Sequence, residues 1–241
     1  MLSVKNLKKK YKDFLALKGI SFDIERGEIF GILGPNGAGK STLIKILTCF
    51  DSATSGEIKI NNINIKHVQD IKEIIAWVPQ DETFYPNLTV KENMEYFAAL
   101  YNIPKKEYKE RLKEILKLLK IENKSDAIAA SLSGGMKRRL SIAIALIHNP
   151  KIIYLDEPTA GVDPVSRRAL WEVIKKIKEK NITILFCTHY LDEAEFLCDR
   201  IAILRLGEII AINTPAKLKK NHKSLEEAFI TLVKDEDSKD S

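Results

Sequence analysis

The sequence predicts an α/β fold in which a mainly parallel sheet is accompanied by an antiparallel β region and an inserted helical lobe. Three observations predict it. The first third consists of short β-rich runs bounded by glycine or charge. Around residue 90 the apolar residues change to a helical period. The last third alternates continuous apolar runs of strand length with an amphipathic helix, the pattern of strands buried on both faces.

Taken in order, residues 4–8, 20–24 and 28–33 are the first strands, and Ile58, Ile60, Ile63 and Ile65 flank Asn61-Asn62, a pair suited to a hairpin turn. Residues 90–120 then read as helix, with Tyr108, Leu112, Ile115, Leu116 and Leu119 on one face and Lys and Glu opposite. A second amphipathic helix carries Met136, Leu140, Ala143, Ile144 and Ile147 and ends at Asn149-Pro150. Residues 151–155 and 181–187 are buried strands, separated by a helix with Leu170, Val173, Ile174 and Ile177 on one stripe. Residues 201–204, the turn Leu206-Gly207-Glu208 and a further short strand follow, and residues 234–241 read as a charged, frayed tail.

Composition bounds the function. With 45% hydrophobic residues over 241 positions the chain is too apolar for a disordered protein and long enough for a real core. No stretch approaches the ~20 apolar residues of a membrane span, so a membrane role would be borrowed from a partner. The N-terminus lacks an apolar stretch with a cleavage site, which places the chain in the cytosol. Cys49, Cys187 and Cys198 have neither C-x-x-C spacing nor a His cluster, and are expected to be buried free thiols. The net charge of +6 is lysine scattered along the chain, which suits solubility as well as nucleic acid or anionic lipid.

Three motifs carry chemistry. Gly34-Pro35-Asn36-Gly37-Ala38-Gly39-Lys40-Ser41-Thr42 follows a buried strand and opens a helix, as G-x-x-x-x-G-K-[ST] does when its backbone wraps phosphate. Lys40 then neutralises the β- and γ-phosphates and the Ser41 hydroxyl ligates Mg²⁺. The strand 152–155 ends in Asp156-Glu157; alternate side chains point apart, so Asp156 can face the metal and Glu157 the attacking water. Leu132-Ser133-Gly134-Gly135-Met136 opens another helix and offers a second exposed N-terminus; taken alone, Ser133 there is a helix cap.

In this order the motifs resemble those of the ATP-binding cassette (ABC) ATPases, the nucleotide-binding subunits of ABC transporters, over about residues 2–232. Residues 34–42 look like Walker A, 152–157 like Walker B and 132–136 like the signature motif. Likewise Tyr11 corresponds to the aromatic that stacks on adenine, Gln80 to the Q-loop glutamine at the metal and γ-phosphate, Asp163 to the D-loop and His189 to the switch histidine. The resemblance implies a P-loop NTPase core with an antiparallel β subdomain, and one domain at 1–232 with an inserted helical subdomain at about 88–148. Residues 233–241 are then a charged, flexible tail. It also implies ATP and Mg²⁺ as cofactors and a head-to-tail dimer, a homodimer being permitted. In that dimer each nucleotide lies between one chain's Walker A and the other's Ser133, Gly134 and Gly135. An integral membrane permease is the further partner, no nucleic acid is expected, and the location is the cytoplasmic face of the membrane.

Met136 stands where the family commonly has Gln, and Gly161-Val162 where Ala-Leu is common. With the basic run Lys137-Arg138-Arg139, residues 85–93 and 224–229, these variants resemble the branch serving drug, polysaccharide, lipid or sodium export. Phe84 and Tyr85, within residues 80–101, are expected to help receive a permease helix. The alternatives are a soluble ABC ATPase acting on nucleic acid or ribosomes, and a P-loop kinase in which residues 132–135 would have no role.

Overall fold

The computed structural model describes residues 1–237, with side chains for 1–234. The chain divides into two compact units, Met1–Lys72 with Thr183–Ser241, and Glu73–Ile182.

In the first unit β1 (Leu2–Tyr11) and β2 (Phe14–Ile24) pair antiparallel, with Tyr11 opposite Phe14 across the turn Lys12-Asp13. β4 (Ser55–Ile60) takes the other edge of β1 and turns back into β5 (Ile63–Asn64), giving the order β2-β1-β4-β5. Asn61 and Asn62 have φ of 51° and 66°. Both are left-handed, the conformation a two-residue hairpin of matching twist requires and asparagine tolerates.

A second group of strands carries the first motif. β3 (Ile29–Leu33) lies parallel to β8 (Thr183–Thr188) on one side and β9 (Arg200–Arg205) on the other, with β10 (Glu208–Asn213) antiparallel to β9. Ile29, Phe30, Ile32 and Leu33 are at most 1% exposed, and burying each contributes about 2 kcal/mol. α1 (Lys40–Leu47), α7 (Leu191–Leu197), α8 (Pro215–Leu218) and α9 (Leu225–Asp237) complete this unit. α9 runs through Asp237, so residues 233–237 continue a helix instead of opening the tail the sequence suggests; residues 238–241 of that tail lie outside the described residues.

α2 (Val68–Ile74) crosses the boundary into the second unit, where β6 (Ile75–Val78) and β7 (Ile152–Asp156) pair in parallel. Its helices include α3 (Val90–Leu100), α4 (Lys105–Leu118), α5 (Gly134–Leu146) and α6 (Pro164–Glu179). The sequence predicts one helical stretch over 90–120; the structure breaks it at residues 101–104, where Asn102 is left-handed and Pro104 caps α4. Of the predicted stripe, Tyr108, Leu112, Leu116 and Leu119 are buried and Ile115 is half-buried. α3 to α5 fall within 88–148, but the compact unit holding them is wider and includes β6, β7 and α6.

Candidate functional site

In the first unit β3 delivers the chain into the loop 34–39, and α1 begins at Lys40. The N-cap of α1 is Gly39, with φ 110° and no side-chain cap, so the first-turn N–H groups of the helix are left for an anion. At Gly34 a Cβ would lie 2.3 Å from the Leu204 carbonyl oxygen, so the chain itself demands glycine there. Lys40 is 5% exposed and donates to the carbonyls of Gly34 at 2.7 Å and Pro35 at 3.0 Å. Behind the loop, the Gly207 N–H donates to the Ala38 carbonyl at 3.0 Å and the Gly207 carbonyl accepts from Lys18 N–H at 2.9 Å. The β9–β10 turn therefore braces the loop, a role its sequence does not announce.

Pro35, Asn36, Gly37 and Ser41 are exposed, Ala38 is buried, and Thr42 is half-buried. The Tyr11 hydroxyl donates to Asp51 Oδ2 at 2.6 Å, and Lys9 Nζ donates to Asp51 Oδ1 at 2.6 Å while sitting 4.7 Å from the Tyr11 ring centre. The Asp51 hydrogen bond, then burial, raises the Tyr11 phenol above its ordinary range, against Thr42. Phe14, the other aromatic at this turn, is 66% exposed. Asp51 escaped the sequence reading because it reaches Tyr11 only through the β1–β4 pairing.

Leu33 is opposite Thr188 in the β3–β8 register, so Gly34 and His189 leave neighbouring strand ends. His189 is exposed with its ring 4.1 Å from that of Tyr190. The Thr188 hydroxyl donates to the buried Glu193 at 2.7 Å and accepts the Tyr190 N–H at 2.9 Å, which fixes this turn.

In the second unit Val78 is opposite Leu155, so Gln80 and the pair Asp156-Glu157 also leave neighbouring strand ends. Gln80 is exposed and Asp156 is 9% exposed. Glu157 has φ 45°, a left-handed backbone that costs a non-glycine residue on the order of 1 kcal/mol or more and recurs at functional positions. Asp163 caps α6, accepting from Val165 N–H at 3.1 Å and Ser166 N–H at 3.0 Å; the Ser166 bonds lead in holding its carboxyl below the usual range. Ser133 caps α5, but the Met136 N–H reaches its hydroxyl only at 3.4 Å. A Cβ at Gly135 would meet Ser166 Cβ at 2.8 Å, whereas one at Gly134 would meet nothing within 4 Å.

Arg138 in the basic run is 8% exposed, not part of a solvated face. Its guanidinium donates to the carbonyls of Pro158 at 2.8 Å, Pro79 at 2.5 Å, Gln80 at 3.3 Å and Asp156 at 2.9 Å. Burial lowers it to about 10, opposed by the Asp156 charge. In residues 85–93, Thr89 and Glu92 form a capping box for α3. Asn93, fully buried, accepts the Tyr85 N–H and donates to the carbonyls of Tyr85, Leu88 and Thr89. Tyr85 and Tyr96 meet edge to face at 4.8 Å and are 46% and 41% exposed, but Phe84 is 7% exposed and faces the core. Cys187 and Cys198 are buried thiols outside any disulfide, and Cys49 is half-buried.

Residues 17–160 match the family model described as ABC transporter. The chain is 42% identical over 219 residues to the linearmycin resistance ATP-binding protein LnrL of Bacillus subtilis (strain 168), covering 90% of this chain and 70% of that one. It is 38% identical over 218 residues to the Nod factor export ATP-binding protein I of Burkholderia thailandensis, covering 90% and 72%. Among solved structures, an ATP-binding subunit of an ABC transporter superposes with a TM-score of 0.85 at 32% identity, covering 97% of this chain and 99% of that one. An ATP-binding cassette solved as a dimer in a post-hydrolysis state, bound to ADP and Pi, superposes with a TM-score of 0.77 at 32% identity, covering 89% of this chain and 98% of that one.

Proposed function

Because the chain belongs to the ABC transporter family, as one of its ATP-binding ATPase cassettes, we propose that it powers export through a separate membrane permease, as a homodimer closed around two MgATP. The observation that carries the reading is the loop 34–39: an uncapped helix N-terminus with a buried cation, Lys40, held on carbonyls it can exchange for phosphate oxygens. Relatives named for linearmycin resistance and Nod factor export support the export direction.

In this reading residues 1–232 are one cassette with 88–148 as its helical subdomain. Gly34 to Thr42 wrap the phosphates, Lys40 neutralises them and Tyr11 offers its ring to adenine. Ser41, Gln80 and Asp156 provide hard oxygen donors of the kind Mg²⁺ takes when phosphates complete its shell, and the ion neutralises the charge developing on the phosphates. Glu157 accepts the proton of the attacking water, while His189 and Gln80 sense the γ-phosphate. Ser133, Gly134, Gly135 and Asp163 face the partner cassette. Gly134 supports this: neither crowding nor a left-handed φ within the chain requires glycine there, so the need for close approach lies outside it.

No helix among the described residues is long and apolar enough to cross a membrane. The cassette is therefore peripheral in this reading, on the cytoplasmic face, docked through the exposed Tyr85 and Tyr96. Glu157→Gln is the deciding experiment: phosphate release is abolished while ATP-bound dimers accumulate on size exclusion, and wild-type turnover in that variant refutes the assigned base. Tyr85→Ala with Tyr96→Ala should release the permease in co-purification with ATP binding intact. Co-purification with RNA or DNA in a salt-dependent manner, instead of with membranes, would favour the nucleic-acid alternative.

A further inference from the structure

The run Lys137-Arg138-Arg139 has no part in the reading above, yet Arg138 donates to four carbonyls of the second unit. Its four acceptors are main-chain carbonyls on three segments: Pro79 and Gln80 past β6, Asp156 at the end of β7, and Pro158 in the turn that follows. Two of them, Asp156 and Pro158, stand on either side of Glu157, whose backbone is left-handed. A planar guanidinium donates in several fixed directions at once and can hold all three segments, whereas an ammonium is a point donor on a flexible stem. Arg138 also belongs to α5, the helix whose N-cap is Ser133.

We propose that Arg138 is a positioning residue that holds the Glu157 backbone and the Gln80 segment in register with the Ser133 helix, so that an anion docking at Ser133 is felt at Glu157. The inference rests on the roles proposed for Glu157, Gln80 and Ser133. A shift of α5 along its axis moves the guanidinium, and the rigid fork hands that shift to the carbonyls flanking the base. The geometry explains why a charged group is kept in a place where burial disfavours it. Within the run Arg138 is the buried residue, while Lys137 and Arg139 are half-buried and Arg139 donates instead to the Leu119 carbonyl.

The test uses the full chain, with Arg138→Met, Arg138→Lys, Gln80→Ala and the double variant of Arg138→Met with Gln80→Ala. ATP hydrolysis is measured over a range of ATP concentrations, and nucleotide affinity by titration with trinitrophenyl-ATP. Positioning predicts that Arg138→Met lowers kcat by roughly 10- to 100-fold with KM and nucleotide affinity little changed, because the Lys40 loop is untouched. Arg138→Lys should lose an intermediate amount. In the double variant the two losses should fail to multiply, since both act on the same step. Wild-type kcat in either Arg138 variant, a fall in nucleotide affinity that tracks the fall in kcat, or losses that multiply would each overturn the proposal. If Arg138→Met does not fold, Arg138→Lys and its double with Gln80→Ala decide by the same criteria. An inactive wild-type chain would instead sink the ATPase reading itself.

Discussion

The loop at 34–39 and the start of α5 at Ser133 are both glycine-bearing helix N-termini, but their glycines answer to different neighbours. Gly34 is pressed against Leu204 and Gly39 is left-handed beneath Ala16, so folding alone requires them. Gly135 is likewise pinned by Ser166, yet Gly134 borders open space in a helical backbone, and Ser133 caps its helix through a bond stretched to 3.4 Å. The glycines of the first terminus are required by the packing of the chain that contains them, whereas Gly134 in the second is not.

Substitutions can break that comparison. The largest effect is expected at Lys40: Lys40→Ala removes the buried ammonium and should weaken ATP binding about 100-fold, roughly 3 kcal/mol, by nucleotide titration. Next, Gly34→Ala drives a Cβ into the Leu204 carbonyl and should lower stability by about 2–3 kcal/mol in urea unfolding of the free chain. Gly134→Ala should leave unfolding within about 0.5 kcal/mol of wild type and yet weaken ATP-driven dimerisation seen by size exclusion. Equal stability losses at Gly34 and Gly134 would erase the distinction between the two termini. Tyr11→Phe, the smallest change, keeps the ring and breaks the bond to Asp51, so KM for ATP should rise only a few-fold, on the order of 1 kcal/mol or less.

The motifs and the strand and helix stripes were legible in the sequence because each is local: the Asn61-Asn62 hairpin, the stripe from Tyr108 to Leu119, and the apolar runs that became β3, β7 and β8. What stayed hidden depends on pairing across long separations. In the sequence Arg138 is one cation of three, and its acceptor Pro79 lies 59 residues away. Asp51 reaches Tyr11 over 40 residues. Phe84 and Tyr85 were indistinguishable as neighbouring aromatics, and only tertiary packing sends Phe84 inward and leaves Tyr85 outside. The break at 101–104 was visible as Asn102 and Pro104, but the helical period on both sides outweighed it.

Arg138 also constrains the order in which the second unit assembles. Its guanidinium is stripped of water only when carbonyls from beyond β6 and from beyond β7 are both in place to receive it, and until then water is the better partner. α5 can form early from its own local bonds, and its docking is expected to follow the pairing of two strands far apart in sequence. Closing that long loop is expected to make the docking a slow, non-local event.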